Sequence, residues 1–353
     1  MSTTAQTLRP DDGSGSGPGT GTGTSGLPGR RTRARGLGLG PGGMAWLVWR
    51  QHRTAFLLLL AAAAVATAGI AWLAHDASAA VAAAEGPGEP SPAAGAVLDE
   101  AYQRLNSVGM ALAGLPVVIG VFIGAPLFAG DLETGTAKFV GVQSHGRRSW
   151  VVTKLGMAAL FTALAALSTG IAMKALLTPL ARHMAINANF TDAGGFDTTG
   201  PVTVALALLG LLIGAAAGLL TRRTLPAMVV TFVALLAVKT VWSWLRMAFA
   251  PTVTETTGGG RFGEDDTPQI PASGVEVDTS YVTGDGTLHG WSTCTRADDA
   301  SACLRREGVV GWSVEYLPFS HLGAMQWAAT GALAGLLLLT VGVLAYAARR
   351  ALR

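Results

Sequence analysis

Charge is what this sequence has least of. Only 13% of its 353 residues are Asp, Glu, Lys or Arg, roughly half of what a soluble domain carries, which excludes an ordinary globular interior wrapped in a charged surface. Cysteine is scarcer still. Cys294 and Cys303 are too few for a disulfide framework, and no Cys or His stands near them at zinc spacing. The long apolar runs contain no Asp, no Glu and no pair of His, so acid–base or metal chemistry inside a bilayer lacks its parts. A phosphate-binding loop is missing too. Gly130 and Gly135 have the glycine spacing of one, but Thr136 and Ala137 stand where Lys and then Ser or Thr are required. The chain is therefore expected to be no enzyme, with no catalytic residue, no metal and no cofactor of its own.

What the sequence does have is uninterrupted apolar blocks. Six approach or exceed the roughly 20 residues that cross a hydrocarbon core, at about 55–74, 105–130, 155–173, 198–221, 224–245 and 322–348. The fold expected is an all-α polytopic membrane protein, with residues 44–353 forming one six-span domain. Sidedness is read from Lys and Arg near the span ends. Lys138, Arg147, Arg148, Lys154, Arg222, Arg223, Arg349, Arg350 and Arg353 collect on one side with the N-terminal arginines, while the first two loops of the other side hold Arg104 and Arg182 among many acids. The basic side is read as cytoplasmic, so both termini are expected inside a multi-pass cell-membrane protein.

Residues 1–43 are Gly, Ser, Thr and Pro with a late arginine cluster, which reads as a disordered cytoplasmic tail or as a stretch ahead of a translation start at Met44. Met44–Arg53 reads as a short amphipathic helix ahead of the first span. Trp46 and Trp49 lie three apart, with Arg50 and Arg53 together on a neighbouring face, a pairing suited to the headgroup interface. Residues 247–321 form a long outer connection in which Val275–Asp278 alternates like a strand, so a small extracytoplasmic cap is expected before the last span. Cys294 and Cys303 both fall there, either bridged or as separate thiols. Gly120 and Gly124, then Gly210, Gly214 and Gly218, then Gly331 and Gly335, put small residues on one face of the second, fourth and sixth spans for close helix packing or a dimer contact. Pro116 and Pro126 are expected to kink the second span. Lys174, Lys239 and Arg246 lie at membrane depth toward the outer ends, where they either snorkel to the interface or line a path for an acidic group.

One short charged stretch between apolar blocks stands out, Asp131–Lys154. Asp131 and Glu133 end the second span, Thr134–Gly135–Thr136 supplies a turn and an N-cap for the next helix, and Gln143 precedes the basic pair Arg147 and Arg148. Trp150 and Lys154 then share a face of the third span. Arg, Trp and carboxylates are anchors at protein interfaces; the plainer reading is a positive loop with an interfacial Trp.

Here the sequence resembles a family. Ala125-Pro126-Leu127, Asp131-Leu132-Glu133, Gly135-Thr136, Gln143-Ser144, Arg147, Trp150 and Lys154-Leu155 are similar to the region after the second helix in permeases of type-2 ATP-binding-cassette (ABC) exporters. Trp46–Arg53 resembles the connecting helix ahead of their first span. Tyr316-Leu317-Pro318 and Gln326-Trp327 match more loosely, and Ser320-His321-Leu322-Gly323 departs from the aromatic stretch expected between them. The resemblance implies a six-helix permease that dimerises with itself or a sister and sits in lipid without nucleic acid. A separate cytosolic ATPase would carry ATP and Mg, with Asp131, Glu133, Gly135, Thr136, Gln143, Arg147, Arg148, Trp150 and Lys154 forming the coupling loop. An alternative is a membrane sensor or immunity subunit whose outer cap holds a ligand without transporting it.

Overall fold

Within hydrocarbon a backbone amide finds no water, so each long apolar block must satisfy its hydrogen bonds internally as a helix. The computed structural model describes residues 43–84, 92–135, 147–181, 190–259, 266–271 and 273–351, and six of its helical segments are long and apolar enough to cross a membrane. The first span is one helix, Met44–Ala84. The third is Arg147–Leu180, the fourth Gly200–Thr221, the fifth Thr224–Leu245 and the sixth Leu322–Ala351.

The second span is built in pieces. Helix Pro92–Ala113 gives way to Leu115–Ile119, a π-helical turn at Gly120–Gly124, and Ala125–Glu133. Pro116 and Pro126 each fall in the first turn of a new piece, where their missing N–H costs least. The two prolines therefore interrupt the helix where a kink was expected.

The connecting helix expected at Met44–Arg53 is not a separate element. Residues 44–56 contain neither Gly nor Pro, so nothing breaks the hydrogen-bond ladder and the chain runs straight into the first span. Arg50 still lies over the Trp46 ring, 5.4 Å from its centroid, but Trp49 turns inward onto Phe56 and Phe161, at 6.5 and 5.7 Å.

The fourth span is the centre of the bundle, with 83% of its apolar window buried against 17% for the fifth. Glycine makes that possible. A Cβ on Gly120 would lie 2.7 Å from the Gly210 carbonyl, and one on Gly124 would lie 2.6 Å from that of Leu211, so the second and fourth spans cross backbone to backbone. Gly331 and Gly335 differ, because a Cβ on either would meet nothing within 4 Å. That pair is exposed and, among the described residues, packs against no other helix.

Between the fifth and sixth spans the chain forms four strands, β1 Val253–Thr256, β2 Gly274–Thr283, β3 Leu288–Gly290 and β4 Val309–Pro318. They pair as an antiparallel sheet in the order β1-β4-β2-β3. Val275–Asp278 lies within β2. The Tyr281 and Trp312 rings pack at a tilt with centroids 4.2 Å apart, and a disulfide joins Cys294 to Cys303 of the short helix Ala300–Arg306. Six crossings bring Met44 and Ala351 to one end of the bundle, the terminus end, and leave this module at the other, the sheet end.

Candidate functional site

The last turn of the second span, at the terminus end, carries Asp131-Leu132-Glu133. Asp131 is only 8% exposed, and a carboxylate so buried is costly unless it has partners. Lys154 of the third span, itself fully buried, forms an ion pair with its Oδ2. Gln51 of the first span donates Nε2–H to Oδ1 at 2.6 Å. The ammonium is boxed in by aromatic faces, 5.3 Å from the Trp150 centroid and 5.7 Å from that of Phe128; those two rings meet edge to face at 5.4 Å. Such contacts recover part of what burial of the cation costs. His52 feels the field of both charges, and its Nε2 is buried with no hydrogen-bond partner among the described residues.

Glu133 does a different job. Its Oε2 accepts hydrogen bonds from the backbone N–H and the hydroxyl of Thr224, at 2.9 and 2.8 Å. Thr224 opens the fifth span, so a carboxylate meets the positive end of a helix dipole. Together the two acids tie the second span to the first, third and fifth. Thr134 closes the second span, donating its hydroxyl to the Gly130 carbonyl at 2.8 Å; the segment that it was expected to cap lies outside the described residues. Gly135 comes next with φ +73°, a turn that a side chain would strain.

Of the residues expected in a coupling surface, Asp131, Trp150 and Lys154 therefore lie inside the bundle, because a charge pair framed by two aromatic rings is shielded from water there. Glu133 and Arg148 are exposed. Arg147 begins the third helix with its side chain outside the described residues, and Thr136 and Gln143 lie wholly outside them. In the neighbouring hairpin Arg222 adopts the left-handed conformation, φ 57°, and its Nη2 donates to the Arg350 carbonyl at 3.1 Å.

A family model described as ABC-2 membrane transporter related matches residues 54–246, more than half of the chain. The chain belongs to this family. No curated protein and no solved structure is significantly similar to it. As an ABC-2-type permease it is a multi-pass membrane transport protein. The matched region takes in spans one to five and all of the terminus-end cluster except Gln51 and His52, which lie just ahead of it.

The permease holds a second cluster, at the sheet end, that sequence reasoning missed. Residues 190–199, between the third and fourth spans, are drawn into the bundle, with Phe190, Phe196, Asp197, Thr198 and Thr199 all buried. Asp197 forms an ion pair with Lys239 of the fifth span, and Trp242 Nε1 donates to its other oxygen at 2.8 Å. Lys239 thus has an acid to meet, and the snorkelling role does not apply to it. Gln326 of the sixth span donates Nε2–H to the hydroxyl and carbonyl oxygens of Thr199, at 2.6 and 3.1 Å. Lys174 is exposed, while Arg246 keeps Nε and Nη1 buried with no hydrogen-bond partners among the described residues. The signal was present: a lone lysine inside an apolar span needs a counter-charge, and Asp197 stands one residue before the expected start of the fourth span.

Proposed function

We propose that this permease is the membrane subunit of an ABC exporter, moving a small hydrophobic or amphipathic compound, a lipid or a peptide outward. The terminus end is the cytoplasmic end. A separate ATPase subunit docks there, with ATP and Mg on that partner, and two permease chains, identical or sister, enclose the path. The observation that carries this reading is the family match across residues 54–246, which includes the segment from Asp131 to Lys154.

In this reading the buried Asp131–Lys154–Gln51 cluster is the rigid seat of the coupling element, and the exposed Arg148, with Arg147 beside it, supplies contact to the ATPase. A push delivered at that surface reaches the first, third and fifth spans through Asp131 and Glu133. The test is co-purification with an ATPase encoded nearby, then permease-stimulated ATP hydrolysis in nanodiscs. Arg147→Ala with Arg148→Ala is expected to weaken association and stimulation together. If both persist unchanged in the doubly substituted protein, the coupling surface lies elsewhere.

A further inference from the structure

The module between the fifth and sixth spans differs in charge from the rest of the chain. Residues 247–321 hold eleven Asp and Glu against four Arg and no Lys, a formal charge of −7 within a chain whose net charge is +3. A field of that sign concentrates cations at the surface of the module.

One face of the sheet bears a cavity of about 290 Å³. Its floor is Trp312 and Val314 of β4, beside Thr279 of β2, which pairs with Val314 across the ladder. Ile270, Trp291 and the exposed Glu276 also line it. Trp312 is held in place, 7% exposed and packed against the tilted Tyr281 ring, whereas Trp291 stands 63% exposed. The Glu276 carboxylate accepts one hydrogen bond, from the Thr279 hydroxyl at 2.5 Å. No Lys or Arg lines the cavity among the described residues.

Indole faces carry negative quadrupole charge and attract a cation that has been partly stripped of water, most of all a bulky ammonium whose own hydration is weak. An adjacent carboxylate adds charge complementarity without requiring that the cation be small or metallic. Neutral ligands would profit from the indoles and leave Glu276 unused. Inorganic cations would profit from Glu276 and leave the indoles unused. From this pairing we propose that the cavity between Trp291, Trp312 and Glu276 binds a small organic ammonium ion. The site asks nothing of an ATPase or of transport, so it stands or falls separately from the exporter reading.

The probe is choline chloride, titrated by calorimetry into the full chain held in phosphatidylglycerol nanodiscs, with sodium chloride matching the ionic strength. The neutral carbon isostere 3,3-dimethylbutan-1-ol is the comparison ligand. Saturable choline binding is expected, with the isostere weaker. Glu276→Gln and Trp291→Ala should each weaken choline by about three- to tenfold, and Trp291→Phe should recover part of the loss. Both positions are exposed, and retention of the Cys294–Cys303 bridge in each variant checks that the module is folded. Repeating the titration in phosphatidylcholine nanodiscs separates sources: weaker apparent binding identifies a lipid headgroup as the natural occupant, and unchanged binding a free solute, the ammonium site standing in either case. Absence of saturable binding, equal binding of the isostere, or undiminished binding by Glu276→Gln overturns the proposal.

Discussion

Asp131 meets Lys154 between two regular helices at one end of the bundle, and Asp197 meets Lys239 between a buried loop and a helix at the other. The lysine of the first pair is completely enclosed, while that of the second keeps 19% of its side chain exposed. The first pair is framed by Phe128 and Trp150 and joined by Gln51; the second is joined by the Trp242 indole N–H. A charge with no path to water depends wholly on its partner, whereas one near the surface can swing out when the partner is lost. Chemically alike pairs therefore differ in how replaceable they are.

The largest effect expected is from Asp131→Ala, which strands the Lys154 ammonium and should cost about 3–5 kcal/mol, seen as a collapse of folded yield and thermal midpoint in detergent. Asp131→Leu with Lys154→Met should regain most of that loss, since a matched apolar pair leaves no charge behind. Asp197→Ala should cost less, about 1–3 kcal/mol, because Lys239 can turn outward. Equal losses at the two positions would break the comparison. Gly214→Ala forces a Cβ to 2.8 Å from the Ala125 amide nitrogen and should cost about 1–3 kcal/mol, while Gly331→Ala, on the open face, should stay within about 0.5 kcal/mol. Glu133→Gln removes a charge from the start of the fifth span and should lower the thermal midpoint by less than Asp197→Ala does.

The smallest effect is one of pH and falls in the module. Hydrogen bonds from the Thr283 hydroxyl and from Thr287 lower the Asp285 pKa from 3.8 to about 2, and the Ala302 amide with the Ser301 hydroxyl holds Asp299 below its ordinary value. A depressed carboxylate stabilises the folded form above its unfolded pKa and loses that contribution as pH falls through the folded one. Amide-exchange protection factors in the loops at 283–287 and 299–302, corrected for the intrinsic rate at each pH, should therefore fall from about pH 4 to pH 2.

All six spans were legible in the sequence because apolar length is a local property. So was the Asp131–Lys154 neighbourhood, since both residues sit in one short stretch between two spans. Its burial was not legible, because the cluster is completed by Gln51 and His52 from a helix some 80 residues away. The Asp197–Lys239 pair was hidden for a related reason. Asp197 belongs to a segment that looks like an outer loop by composition, and only tertiary packing draws it inside. Glycine spacing identified close-packing faces without saying which had a partner; those of the second and fourth spans meet each other, while the Gly331–Gly335 face of the sixth meets no helix among the described residues. Trp46 and Arg50 suggested an interfacial helix through chemistry that a continuous helix satisfies equally well.

The first helix is 41 residues long, about 60 Å at 1.5 Å per residue, and the hydrocarbon it crosses is about 30 Å thick. Roughly half of this rod must stand in headgroups and water. Near its sheet-end tip Asp76 is held by Arg104, which also pairs with Glu100, so the overhang is braced against the second helix as a stalk. A hand on that stalk would hold a lever without a joint, because the same unbroken helix carries Gln51, and through it Asp131, on the opposite side of the bilayer.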